Sequence, residues 1–291
     1  RHDARCKNVD GGTFHSFAFR TLKKYAKALS LSPQFTILDE ADAEDAVHKC
    51  ASRLGIFDGE KKFPKKGTLR AIISMAVNKG GGIVRILEKE YPHFLQFAGE
   101  IESLRKAYAA YKIDKNYMDY DDMLVYLKLL LDIPDMREKI SSKYNFVMVD
   151  EYQDTNTLQA DIAYLLAERH KNIMVVGDDA QSIYGFRGAS HENIMEFPGK
   201  FDNCKVIKLE ANYRSTQSIL DVANAVLGNM RNKYSKCLHS TRTDCGERPA
   251  LNFFKDPYDE AAWIAGKIKG LAGAGVEYAY QAVLFRSAYL S

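Results

Sequence analysis

No apolar run in this 291-residue chain approaches the length of a membrane span, and its N-terminal RHDARCKNVDGG lacks the apolar core of a signal peptide. No membrane partner is therefore expected. Charge of either sign is not in excess. Lys and Arg number 41 against 38 Asp and Glu, a net +3, so any surface that binds nucleic acid has to be a local one. The five cysteines (Cys6, Cys50, Cys204, Cys237, Cys245) are odd in number, widely spread and never paired as C-x-x-C. That removes the usual zinc and disulfide frameworks and leaves reduced thiols in a cytoplasmic protein as the expectation. No internal repeat or low-complexity tract is evident. The phosphate-binding string G-x-x-x-x-G-K-[ST] is also missing: Gly199-Lys200 precedes Phe201, and Gly266-Lys267 precedes Ile268. What is present is an ordinary globular balance, 46% hydrophobic and 27% charged, with length enough for two modest domains or one with an insertion.

Residues 13–31 place Phe14, Phe17, Leu22, Tyr25 and Leu29 at helical spacing, with Thr13 and Ser16 as capping oxygens and Pro33 as terminator. Between about 39 and 116 the pattern is helical, with candidates at 42–54, 68–78 and 97–112 and breaks rich in Gly and Lys. Strand signals follow. YNFVMVD (144–150) and NIMVVGDD (172–179) are short, nearly continuous apolar runs, as in strands covered on both faces. Further strands are predicted at CKVIKLE (204–210), ALNFF (250–254) and AVLFRS (282–287), with helices at 155–168, 216–230 and 260–271. This alternation predicts an α/β protein with a parallel, doubly wound sheet, whose functional groups collect beyond the carboxyl ends of its strands.

Asp150, Glu151, Asp178 and Asp179 fall at such ends. Adjacent carboxylates there can hold magnesium beside a phosphate chain, the second polarising an attacking water; a solvated strand exit is the plainer account. In VVGDDAQSIYGFRGAS (175–190), Gln181 could contact a terminal phosphate. Tyr184, Phe186 and Arg187 could stack on unpaired bases or fill a core instead. In LEANYRSTQSIL (209–220), Arg214 could reach a phosphate and Tyr213 could stack on a base, although a lone Arg more commonly bonds carbonyls or carboxylates. GTFHSF puts Phe14 and His15 at a helix start, where free amides favour phosphates. In DYDDML, Asp119, Asp121 and Asp122 open a helix, where the macrodipole alone explains acids. The basic EKKFPKKGTLR reads as an exposed loop.

Taken in order, GTFHSF, DYDDML, VDEYQDTN, VGDDAQSIYGFRGA and NYRSTQSIL resemble consecutive motifs of the UvrD/PcrA/Rep family of superfamily 1 DNA helicases. The resemblance covers nearly the whole chain, most loosely between 39 and 116. It implies a RecA-like parallel sheet of the P-loop NTPase type with a helical insertion and the beginning of a second RecA-like lobe. The first lobe would be residues 1–32 and 117–200, the insertion 33–116 and the second lobe 201–291. It also implies ATP hydrolysis with Mg2+ that drives movement along single-stranded DNA, usually 3′ to 5′, and unwinding at single–double-strand junctions. Repair or recombination proteins are the implied partners. Carried over, Asp150 and Glu151 would hold magnesium, with Glu151 activating the water. Gln181 would sense the terminal phosphate, Arg214 would stabilise its charge, and Tyr213 would pack on adenine. Tyr184, Phe186, Arg187, Phe14 and His15 would lie along DNA. Phe186 stands where many members carry Trp, so its stacking face is smaller.

In the family the phosphate loop precedes the TFHS segment, and further motifs follow the point where this chain stops. The start at Arg rather than Met fits a piece of a longer helicase, and weak or undetectable ATPase is expected of the chain alone. Three alternatives stay open at this stage: a helicase subunit of a helicase–nuclease, a noncatalytic DNA- or partner-binding scaffold, and a free-standing metal-dependent nuclease or phosphohydrolase.

Overall fold

The computed structural model describes residues 7–57, 63–185, 188–243 and 246–285. It divides into two compact units, residues 1–207 with 232–234, and residues 208–231 with 235–291.

In the first unit, α1 (Phe14–Tyr25) begins where the Thr13 hydroxyl accepts from the Ser16 amide at 3.2 Å. Lys23 and Lys24 sit in its last turn, where cations complement the helix dipole. The helix tightens into a 3-10 turn (Ala26–Leu29) and stops at Ser30, whose left-handed φ of 58° ends it three residues before the expected terminator Pro33.

Two short parallel strands that the sequence did not suggest, β1 (Thr36–Ile37) and β2 (Tyr117–Met118), then pair with each other. The chain between them is helical: α2 (Glu40–Arg53), α3 (Lys66–Asn78), α4 (Ile83–Glu90) and α5 (Ala98–Lys115). Their apolar positions close on a core of their own around Val47, Leu69, Ile72, Leu87, Ile101 and Leu104.

A second core lies among α1, α6 (Tyr120–Asp132), α7 (Pro134–Ser141) and α8 (Thr157–Ala167). Along α6 the buried residues are Met123, Leu124, Leu127, Leu130 and Leu131, the i, i+1, i+4, i+7, i+8 stripe of a helix facing a core on one side. Each such leucine contributes about 2 kcal/mol by burial.

β3 (Val147–Val149) and β4 (Ile173–Val175) are parallel, with Val147 opposite Ile173 and Val149 opposite Val175; α8 is the crossover between them. α9 (His191–Glu196) completes a third core with Val149, Tyr152, Ala163, Ile194 and Phe197.

The second unit contains β5 (Ala211–Asn212) paired with β6 (His239–Ser240), α10 (Gln217–Gly228) and α11 (Pro257–Gly273). Leu220 is its one buried apolar residue among those described, and α11 buries none of its own.

Three strand expectations are corrected. Residues 204–210, 250–254 and 282–285 carry the apolar character of strands but form none. A strand exists through its ladder, and among the described residues these segments pair with no strand of their own, although the Glu210 carbonyl accepts from the His239 amide at 3.0 Å beside the β5–β6 pair. Among the described residues the strands form three separate two-stranded parallel pairs. Among the described residues, no helix is long and apolar enough to cross a membrane.

Candidate functional site

The ends of β3 and β4 carry the site. The ladder runs one step past both strands, since the Val176 amide donates to the Val149 carbonyl at 2.8 Å and the Tyr152 amide to the Val176 carbonyl at 2.9 Å. The chain then turns away from β3 through Asp150 and Glu151. Asp150 Oδ1 accepts the Glu151 amide at 2.9 Å. Glu151 itself sits at φ 49°, ψ 42°, the left-handed region, which costs a non-glycine residue about 1 kcal/mol or more. Strain of this kind persists where the surroundings over-determine it.

Those surroundings centre on Gln153, which is 1% exposed. Its Nε2 donates to Glu151 Oε2 at 2.7 Å, and its Oε1 accepts the Asp178 amide at 3.0 Å. Its carbonyl accepts from the Ser182 hydroxyl at 3.3 Å. Gln153 therefore fixes the Glu151 carboxylate and joins the loop after β3 to the loop after β4. A Cβ on Gly177 would lie 2.5 Å from Gln153 Oε1 and 2.9 Å from Ile194 Cδ1, so only glycine lets the second loop pass this side chain.

In that loop Gln181 closes a 3-10 turn (Asp179–Gln181), and its Nε2 donates to Asp178 Oδ2 at 2.9 Å. Glu151 and Gln181 are thus connected by successive hydrogen bonds through Gln153 and Asp178. The far ends of the two loops are joined as well. The Thr155 carbonyl accepts from the Ser190 amide at 3.0 Å and from Asn193 Nδ2 at 2.9 Å. Asn156 caps α8 in a reciprocal box with Gln159.

Among the described residues no cation pairs with Asp150 or Glu151. Nearby, Asp154 Oδ1 is buried without a hydrogen-bond partner; burial and then the Glu151 charge raise its carboxyl above the ordinary range. A site with excess negative charge and hard oxygen donors suits a divalent cation such as magnesium. No group of three or more ligating side chains exists among the described residues, so water and ligand oxygens would have to complete the shell.

The other residues singled out in the sequence lie as follows. Phe14 is half buried and packs on the second and third cores. His15 meets the Tyr120 ring edge-on at 5.8 Å; burial lowers its pKa against the opposing pull of Asp121 and the Tyr120 backbone. Tyr184 is 38% exposed on the second loop. Phe186 and Arg187 lie outside the described residues. In the second unit Asn212 Oδ1 accepts the amides of Arg214 and Ser215 at 2.9 and 2.7 Å, an Asx turn that leads into α10. Tyr213 is 80% exposed there.

Gln153, Thr155, Asn156 and Asn193 were not picked out from the sequence. The available signal was polar density: seven polar residues in the eight of DEYQDTNT, at a strand end where nothing periodic calls for them.

Residues 2–202 match the family described as the UvrD/REP helicase N-terminal domain, and residues 207–291 match the UvrD-like helicase C-terminal domain. The chain is 33% identical over 282 residues to the ATP-dependent DNA helicase PcrA of Leuconostoc citreum, covering 94% of this chain and 36% of that protein. It is 36% identical over 272 residues to PcrA of Bacillus subtilis, covering 90% and 35%. It is 35% identical over 269 residues to a probable DNA helicase II homolog of Rickettsia felis, covering 91% and 40%. The chain thus spans between 35% and 40% of the length of these relatives.

Proposed function

The chain belongs to the UvrD/REP helicase family, and from that premise we propose that it serves an ATP-dependent DNA helicase, one that couples ATP hydrolysis to movement along single-stranded DNA and to duplex opening at junctions. Membership implies an α/β fold of the P-loop NTPase type. Within it we assign residues 1–32 and 117–200 to one RecA-like lobe, 33–116 to a helical insertion and 201–291 to a second RecA-like lobe. A cytoplasmic setting and partners from DNA repair, replication or recombination go with that reading.

The hydrogen-bonded path from Glu151 through Gln153 and Asp178 to Gln181 carries the proposal. A hydrolytic site needs a base held at a fixed angle and a neutral group that senses the phosphate under attack. Glu151 is held on one carboxylate oxygen by Gln153, which leaves the other for a water. Gln181 is tied to the same path, so a change at its amide reaches Glu151 within a few bonds. Asp150 and Glu151 would hold magnesium, which when bound neutralises phosphate charge and orients the phosphate chain. Arg214 would add positive charge at the phosphate, and Tyr213 an aromatic face for adenine. Phe14, His15, Tyr184, Phe186 and Arg187 would contact the strand by stacking and phosphate pairing.

The test is ATP hydrolysis by the complete gene product, with and without a single-stranded oligonucleotide. Strong stimulation by DNA is expected. An unstimulated rate in a folded protein would replace this reading with that of a binding scaffold.

A further inference from the structure

Asn78 lies outside every motif discussed above, yet it touches both loops of the site. It is the last residue of α3 and is buried. Its Oδ1 accepts from Asn156 Nδ2 at 2.6 Å, and its Nδ2 donates to Asp121 Oδ1 at 2.8 Å and to the Ser74 carbonyl at 3.0 Å. Asn156 stands where the acid loop enters α8. The second loop ends against the same side chain: Gly188, at φ +91°, comes so close that a Cβ there would lie 3.1 Å from Asn78 Cβ.

Capping does not account for this contact. The cap of α8 is complete with Gln159, whether or not Asn78 is present. Beyond Asn78, Asp121 accepts from Arg70 of α3 at 2.8 Å and faces the half-buried His15. A continuous, buried polar path therefore leads from α3 and the start of α6 to the end of the acid loop.

We propose that Asn78 is a positioning residue that makes hydrolysis depend on DNA. A strand held at His15, beside Asp121, shifts the start of α6 relative to α8, and the Asp121–Asn78–Asn156 bonds pass that shift to the loop that carries Glu151. Paired side-chain amides suit this role, because they hold geometry tightly in buried surroundings and fail abruptly when misaligned. The left-handed Glu151 is the strained point at which a small displacement has most effect. This inference rests on the proposed DNA-stimulated ATPase.

The experiment measures ATP hydrolysis by the complete protein at saturating and zero oligo(dT). For Asn78→Ala, the DNA-stimulated kcat is expected to fall about tenfold. The DNA-free rate, the KM for ATP and the oligonucleotide Kd should stay within about twofold, a pattern that general loosening of the fold does not give. Asn156→Ser keeps a capping oxygen but loses the amide donor, and should reproduce the loss in stimulation. The double variant should be no worse than either single one. Unchanged stimulation in folded Asn78→Ala, or additive losses in the double variant, would overturn the proposal. Absence of stimulation in the unsubstituted protein would instead overturn the helicase reading, and this inference with it.

Discussion

At the start of α6, Asp119, Asp121 and Asp122 meet Lys112, Arg70 and the Tyr108 hydroxyl at 2.6 to 2.9 Å. At the end of β3, Asp150 and Glu151 receive, among the described residues, only the N–H groups of a backbone amide and of Gln153. Both clusters belong to the same compact unit and have the same formal chemistry. In the first, negative charge is neutralised within the protein. Burial opposes ionisation of Asp119, but Lys112 and Arg70 outweigh it and hold that carboxyl below the usual range. In the second, carboxylates are oriented but not neutralised. The first arrangement fixes helices together, and the second is prepared for a cation and a charged substrate that come from outside.

That difference can be broken from either side. Lys112→Met would leave Asp122 buried without its cation and Asp119 with the more distant Arg70 guanidinium at 3.7 Å. A loss of roughly 3–5 kcal/mol in unfolding free energy is expected by denaturant titration, the largest effect among stability variants. Gly177→Ala pushes a methyl group into Gln153 and Ile194. It should cost about 1–3 kcal/mol and also depress hydrolysis, because Gln153 can no longer reach both Glu151 and the Asp178 amide. Glu151→Gly relieves the left-handed backbone. It should raise thermal stability by about 1 kcal/mol while hydrolysis is lost, the signature of strain kept for function.

A pH titration sharpens the comparison further. Burial and the Asp119 charge push the Asp122 carboxyl up to about 6, against about 3.9 in an unfolded chain. The folded state thus binds the extra proton between these values. The stability this contributes is complete below about pH 3.9 and is lost as pH rises through about 6. Asp122→Asn should flatten that part of the stability–pH curve. An identical slope in the variant would show that Asp122 is not its source.

The two clusters also show what was legible before any coordinates. Asp150 and Glu151 were legible as adjacent acids directly after an apolar run, and the motifs that follow them, rather than the pair itself, pointed to function. Asp119, Asp121 and Asp122 were correctly placed at a helix start, but their cations come from α3 and α5, a pairing across distant sequence that no local pattern encodes. Gln153 and Asn78 were invisible for the same reason: their importance lies in partners 25 and 78 residues away. The strand expectations at 204–210, 250–254 and 282–285 rested on apolar character alone, whereas strands also need partners.

The most direct test of the account is DNA-stimulated ATP hydrolysis by the complete protein, with Glu151→Gln and Asp122→Asn measured beside it. Glu151→Gln should lose about 10²-fold or more in kcat with oligonucleotide binding intact, whereas Asp122→Asn should stay within a few-fold of the unsubstituted rate. Equal losses in the two variants, or full activity in Glu151→Gln, would contradict the division between a neutralised cluster and a working one.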